Sequence, residues 1–312
     1  MPFVFEGKMK CSECSRKTIG VFQQKGYCSK HFKQAFEGFV FDFIDEKKLI
    51  PSSRVAVAVS GGKDSTSVLN VVMKYMDKKG LGKPKALSVD EGIKGYREKT
   101  IGNVRDFCDK NNIELKIISY KEEFGFSLDE FLKQFNTHPC TVCGILRRYL
   151  LNKYARDYDV LVTGHNLDDE SQSVLMNLVN ADLGLLARQG FRPGLLYSDK
   201  FTKRIKPFYL VKEKEVMVYS LVCDLGAPLG SCPNAHLAFR NPVRDLINES
   251  EGKEPGVKRS IVEFFLSLKG DLAGTVEDDV LQECKRCGEP TSGNVCKACL
   301  IRESWEKGEQ LF

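Results

Sequence analysis

Two sets of residues in this 312-residue chain have types and spacings suited to chemistry. The first is Ser60-Gly61-Gly62-Lys63-Asp64-Ser65, behind the apolar run Val55 to Val59 and ahead of the apolar-periodic stretch Val68 to Met73. Its glycines let backbone N–H groups approach an anion without a Cβ in the way, and the following helix adds unsatisfied donors and a positive dipole end. Lys63 contributes a point charge, and Ser60 and Ser65 contribute hydroxyls, so the turn is suited to holding phosphate. The spacing is neither Gly-x-x-x-x-Gly-Lys-Ser/Thr nor Gly-x-Gly-x-x-Gly. An ordinary glycine turn between strand and helix is the competing reading.

The second set is most of the 12 cysteines. Cys11-x-x-Cys14 with Cys28-x-x-His31, and Cys284-x-x-Cys287 with Cys296-x-x-Cys299, each offer four donors of the kind tetrahedral zinc prefers. Gly20 and Gly26 are expected at turns between the first two pairs. Segments this short cannot bury a core, so two structural Zn2+ ions would supply the folding free energy. Cys140-x-x-Cys143 stands alone behind Pro139, which places it at a helix start where the dipole favours thiolate. It fits a redox pair, half a zinc site or part of an iron–sulfur site, with Cys232, in a turn-rich stretch before Pro233, as the third candidate ligand. Cys108 and Cys223 lie in apolar helical stretches and read as core.

The elements that must position these residues are legible in outline. Strands are expected at Val55 to Val59, Ala86 to Asp90, Leu115 to Tyr120 and Val160 to Gly164, with an edge strand over Arg204 to Phe208 and a helix over Tyr96 to Asn111. Alternating strands and helices give an α/β fold, a parallel sheet with helices on both faces, and ligands beyond the carboxyl ends of its strands. There Ser60 to Ser65, Asp90 to Ile93 and Gly164 to Asp169 would converge. Residues 181–203 read as a long functional loop. The chain divides into a zinc finger (1–35), a linker helix (36–50), a catalytic domain (51–230), a helical extension (231–278) and a zinc ribbon (279–312). Phe39 to Ile44 fit a dimer contact or a core helix.

Hydrophobic content of 42% with 29% charged residues is ordinary for a soluble chain, and no run approaches a membrane span, so a cytoplasmic address is expected. Seven basic residues against two acidic ones in the first 35 account for the whole net charge of +5. That basic module suits a polyanionic partner, with a merely solvated face as the alternative.

Taken together, Ser60 to Ser65, Asp90-Glu91-Gly92-Ile93, Cys140-x-x-Cys143 with Arg147-Arg148, Gly164-His165-Asn166-x-Asp168-Asp169 and Cys232-Pro233 resemble the tRNA uridine 2-thiolation enzymes, pyrophosphate-loop proteins of the adenine-nucleotide α-hydrolase type. The terminal cysteine sets and Arg240-Asn241-Pro242-Val243-Arg244 point to the TtuA and NcsA branch. The resemblance implies ATP at Ala58, Ser60, Gly61, Gly62, Lys63, Asp64, Ser65, Asp90, Gly92, Ile93, Gly164 and Asp169, with Mg2+ on its phosphates. It also implies a [4Fe–4S] cluster on Cys140, Cys143 and Cys232. Lys63, Asp64, Asp168, Asp169, Cys140 and Cys232 are the expected catalytic residues, with Asp168 or Asp169 as base unless they only cap a helix. Arg147, Arg148, Arg240 and Arg244 are candidates for phosphate contacts. Transfer RNA, a sulfur donor (sulfide or a thiocarboxylated ubiquitin-like protein) and a homodimer complete the expectation. A third zinc site using His138 or His236, a persulfide relay, a cluster-independent tRNA ligase or amidating synthetase, and a non-enzymatic zinc-finger RNA-binding protein are the rivals.

Overall fold

The computed structural model describes residues 10–194, 201–226, 230–275 and 282–310. Part of the 181–203 loop, the 278/279 boundary, and Glu6 and Lys8 lie outside the described residues.

The chain opens with an antiparallel hairpin, β1 (Gly20–Phe22) and β2 (Lys25–Tyr27), followed by helix α1 (Ser29–Glu46). Gln23 and Gln24, both at positive φ, make the turn that Gly20 and Gly26 were expected to make. Gly20 instead lies flat against the body, where an added Cβ would meet Val218 Cγ1 at 2.7 Å. α1 starts directly after Cys28 and crosses the expected boundary between finger and linker. Its Phe32, Phe36, Val40, Phe43 and Ile44 recur every three or four residues and are all buried, so Phe39 to Ile44 belong to a core helix. Phe36 stacks on Tyr219 with centroids 4.2 Å apart, which fixes the finger to the body.

The central sheet follows: β3 (Val55–Ala58), α2 (Lys63–Lys78), β4 (Lys85–Asp90), α3 (Arg97–Asn111), β5 (Leu115–Ser119), α4 (Tyr120–Phe124), α5 (Leu128–Gln134), α6 (Pro139–Ala155), β6 (Val160–Val162), α7 (Leu167–Val179), α8 (Leu183–Ala187) and β7 (Lys203–Ile205). All five strands are parallel, in the order β5-β4-β3-β6-β7. The order reverses between β3 and β6, which opens the crevice where such sheets bind ligands. β5 stops one residue early because the Ser119 side chain accepts the Lys121 N–H and caps α4. The expected 181–203 loop contains α8.

Helices α9 (Glu213–Val222), α10 (Arg240–Lys253) and α11 (Val257–Thr275) follow, the last two packed on α7, with a 3₁₀ turn at Pro233–Leu237. Cys108 is buried as expected, while Cys223, just past α9, is only half-buried. A small module of β8 (Gln282–Glu283), β9 (Pro290–Thr291) and α12 (Lys297–Lys307) then packs on the layer beneath α6. Among the described residues, no helix is long and apolar enough to cross a membrane.

Each terminal module gathers its four expected donors, Cys11, Cys14, Cys28 and His31 in one and Cys284, Cys287, Cys296 and Cys299 in the other, within 4.8 Å, so each could hold a metal ion. The spacing matches that of a single-ion site. Four sulfurs about 2.3 Å from a central zinc stand about 3.8 Å apart. Cys14 Sγ and Cys28 Sγ are 3.8 Å apart, and Cys287 Sγ and Cys296 Sγ 3.7 Å. His31 Nδ1 lies 3.3 Å from Cys11 Sγ, which makes it the ring nitrogen facing the centre. Trp305, the single tryptophan, lies 5.1 Å from the Phe126 ring and 6.3 Å from that of Phe131. Metal chelation should therefore red-shift tryptophan emission, and Cys287→Ser should reproduce the shift in fluorescence spectra. Cys14→Ser, at the far module, should lower bound zinc by one equivalent and leave the emission in place.

Candidate active site

Ala58 ends β3, and the chain turns through Ser60 to Gly62 into the first turn of α2. The turn is built by Ser65: its Oγ accepts from the Ser60 and Gly61 amides at 3.1 and 3.2 Å and lies 3.1 Å from Gly62 O. Ser65 is thus a constructor of the loop rather than the free phosphate ligand its position suggested. Gly61 has φ of +86°, and a Cβ there would meet Thr100 O at 2.0 Å, so no other residue fits. Lys63 Nζ contacts Asp64 Oδ2 at 2.9 Å and Glu213 Oε1 at 2.7 Å. Burial opposes the charge on Lys63, but the two carboxylates outweigh it and raise its pKa. Burial also raises the pKa of Asp64, against the pull of Lys63.

Across the crevice, Gly164 closes against this turn. A Cβ there would come 2.9 Å from Asp64 O, and the Asn166 amide donates to Asp64 Oδ1 at 3.2 Å. On the other side Asp90 ends β4, and with Gly92, Ile93, Arg97 and Ile101 it lines a cavity of about 460 Å³. Arg97 was not foreseen. It is buried, donates to Ser60 O at 2.7 Å, and pairs through Nε with Glu91 Oε2 at 2.8 Å. One signal was available: Arg97 shares the face of α3 that carries Ile101, Val104 and Cys108.

The two carboxylates at the start of α7 have separate fates. Asp168 is buried, ion-paired with Lys258 of α11, and accepts the Glu213 N–H at 2.8 Å. Asp169 caps α7 reciprocally with Asn166 and lies 3.4 Å from Arg240 Nη1. Burial raises its pKa to about 6, with Arg240 opposing and Asp64 adding to the rise. Arg240 also reaches Asp169 O, Gln172 Oε1 and Ser173 Oγ, while Arg244 pairs with Asp245. His165 is exposed at the mouth of the same cleft, where desolvation by the surrounding walls and then Lys206, Arg240, Arg147 and Arg204 push its pKa down. Arg148 has no carboxylate partner among the described residues, and Arg204 is bonded only to Asn152 Oδ1 at 2.6 Å. Burial and the neighbouring Arg148 lower Arg204 to about 10.

Cys140 and Cys143 occupy the first turn of α6, with Pro139 at its start as expected. The 3₁₀ turn behind Cys232 packs on α6, and the His138 ring bonds Leu237 O at 2.8 Å. Burial and Cys232 push the Cys140 thiol up against the opposing charge of Arg147, so the dipole effect expected from Pro139 does not dominate. Burial raises Cys143 to about 11. These three sulfurs do not share the single-ion spacing of the terminal sets, and no fourth His, Cys, Asp or Glu gathers with them among the described residues. His236 is turned to Pro233 O at 2.8 Å. A wider trio one donor short suits a multi-iron group better than a third zinc ion.

A phosphate-suited loop at the switch point of a parallel sheet defines a nucleotide-binding protein of the PP-loop class, and a model of the PP-loop domain matches residues 29–223. The chain is 37% identical to the tRNA-5-methyluridine(54) 2-sulfurtransferase of Pyrococcus horikoshii over 93% of both chains. It is 31% identical to the tRNA 2-thiolation protein NcsA of Haloferax volcanii, over 96% of this chain and 99% of that one. The solved structure of the U34-tRNA thiolase NcsA from Methanococcus maripaludis with its [4Fe-4S] cluster is similar at a TM-score of 0.77 and 32% identity, over 95% of this chain and 96% of that one. The chain belongs to the tRNA 2-thiolation sulfurtransferases of the PP-loop class.

The different surroundings of the two carboxylates separate their substitutions. Asp168→Ala should cost about 3 kcal/mol in denaturant unfolding, because it strands Lys258 without a partner. Asp169→Asn should change stability little and abolish turnover.

Proposed function

We propose that this chain is an ATP-dependent tRNA 2-thiouridine synthase acting in the cytoplasm. The observation that supports the reading is that the phosphate loop and Asp169 adjoin at the carboxyl ends of β3 and β6, through the Asn166 to Asp64 bond, while Arg147 acts both on His165 in that cleft and on Cys143. The C2 oxygen of a uracil leaves poorly, so its replacement requires activation. ATP binds with its phosphates on the loop amides and the N-terminus of α2, displacing the carboxylates from Lys63, whose ammonium then steadies the leaving pyrophosphate. Mg2+ would be held beside Asp64 and supply further charge neutralisation to the phosphates.

The C2 oxygen attacks the α-phosphorus, pyrophosphate departs, and the N3 proton passes to Asp169, leaving an N3=C2 bond. Sulfide then adds at C2 as S2−, AMP departs with the original oxygen, and Asp169 returns the proton to N3. A pKa of about 6 lets Asp169 accept a proton near neutrality and give it back. When bound on the three cysteines, a [4Fe–4S] cluster supplies an iron position free of protein ligand for a sulfur atom. Arg147, Arg148 and Arg204 line the cleft and receive phosphates around the target nucleotide. The basic finger and the ribbon, each carrying Zn2+, extend that contact by gripping tRNA backbone. Sulfide or a thiocarboxylated ubiquitin-like protein supplies the sulfur, and the working unit is a homodimer.

Anaerobically prepared protein with ATP, sulfide and unmodified tRNA should form 2-thiouridine, mapped by nucleoside mass spectrometry. Absence of product, or undiminished product from a Cys140→Ala, Cys143→Ala, Cys232→Ala triple variant, would contradict the reading. The rate should fall as pH drops through about 6, where Asp169 becomes protonated and can no longer accept the N3 proton. Arg148→Gln and Arg204→Gln should each lower the salt slope of tRNA binding by about 0.7–0.9 without changing ATP affinity.

A further inference from the structure

Glu91 follows the last residue of β4, and its side chain is only 5% exposed. One carboxylate oxygen, Oε2, is 2.8 Å from Arg97 Nε. The rest of that guanidinium is fully committed: Nη1 donates to Ser60 O at 2.7 Å and Thr100 Oγ1 at 2.8 Å, and Nη2 to Ser88 Oγ and Val89 O. Arg97 therefore places a buried ion pair between Glu91 and the first carbonyl of the phosphate loop. The other oxygen, Oε1, is 3.5 Å from Nη1 of Arg147, whose side chain is 47% exposed. Arg147 lies on α6 one turn beyond Cys143 and two beyond Cys140, on the same face.

The backbone holds the carboxylate in place. Glu91 O accepts the Leu128 N–H at 2.8 Å, and Gly92 lies so close to Ser127 that a Cβ would come 2.5 Å from Ser127 Cβ. The carboxylate is thus enclosed on the loop side by buried Arg97, and on the cysteine side it accepts one long hydrogen bond from half-exposed Arg147. A long contact to a half-exposed guanidinium is the end of such a chain that can make two arrangements, and coupling between sites requires an element of that kind.

We propose that Glu91 is a positioning residue that couples nucleotide occupancy of the phosphate loop to the cysteine centre, through Arg97 on one side and Arg147 on the other. The proposal rests on the reading that the loop takes ATP and the three cysteines take a cluster. Phosphates on the loop pull on Ser60, Arg97 passes the change to Glu91, and Glu91 resets the Arg147 guanidinium beside the cysteines.

Such coupling is reciprocal, so cluster loading must change nucleotide affinity by the same factor as nucleotide changes the cluster. The test is calorimetric binding of a non-hydrolysable ATP analogue to full-length protein with and without its reconstituted cluster. The two dissociation constants should differ by about fivefold or more in the wild type, and the ratio should fall to near one in Glu91→Gln and in Arg147→Gln. Arg147→Lys should restore part of it. Arg147→Gln leaves the buried Glu91–Arg97 pair intact, so it decides the matter where Glu91→Gln folds poorly. A wild-type ratio of one, or a ratio undiminished in Arg147→Gln, overturns the proposal. A protein that takes up no iron instead sinks the cluster reading, and a double-substitution cycle in cluster-free protein then decides. The Glu91→Gln, Arg147→Gln pair should alter analogue affinity no more than Glu91→Gln alone, and additive effects overturn the coupling.

Discussion

Two turns of the backbone press together at the point where the sheet reverses its strand order, and most of the site depends on that approach. Gly164 lies too close to Asp64 O for any Cβ, and Gly61 too close to Thr100 O. With β3 and β6 side by side and parallel, the loop after each strand must occupy the same crevice. The Asn166 to Asp64 hydrogen bond joins them, and Asn166 also caps the helix that presents Asp169. A phosphate-binding turn after β3 and a carboxylate in the first turn of the helix after β6, its neighbour in the sheet, are brought together by backbone sterics before any ligand arrives.

Charge placement completes the arrangement. Acidic groups that face the crevice are mostly engaged: Asp168 with Lys258, Glu170 with Lys206, Glu91 with Arg97. What is left over is positive, notably Arg148 and Arg204: burial and Arg147 lower the pKa of Arg148, burial and Arg148 lower that of Arg204, and neither has a carboxylate partner among the described residues. An uncompensated cationic cleft beside a phosphate loop suits one polyanion flanking another, a nucleic acid next to ATP. Arg240, read from the sequence as a phosphate contact, holds the start of α7 through Asp169, Gln172 and Ser173. It therefore links the segment after Cys232 to the proposed base.

Much of this was visible in the chain because its strongest signals are local. Apolar runs such as Val55 to Ala58 and Val160 to Val162 between turn residues read as buried parallel strands, and the paired Cys-x-x-Cys and Cys-x-x-His spacings mark the two four-donor groups that the fold gathers. The readings that shifted involve partners distant in sequence. Ser65 looks like a ligand until its amide donors are seen, and Asp168 and Asp169 look alike until Lys258 claims one of them. The pairing of Glu91 with Arg97 leaves no trace in the chain beyond the place of Arg97 on the apolar face of α3. The boundary at residue 35 failed to appear since α1 supplies a metal donor from its first turn and core aromatics from the turns that follow.

The central claim is that the uracil oxygen leaves on AMP. Transfer RNA carrying ¹⁸O at C2 of its target uridine, incubated with ATP and the cluster-loaded protein under anaerobic conditions, should yield AMP bearing the label in its phosphate. Label in inorganic phosphate or in water, with unlabelled AMP, would contradict the account.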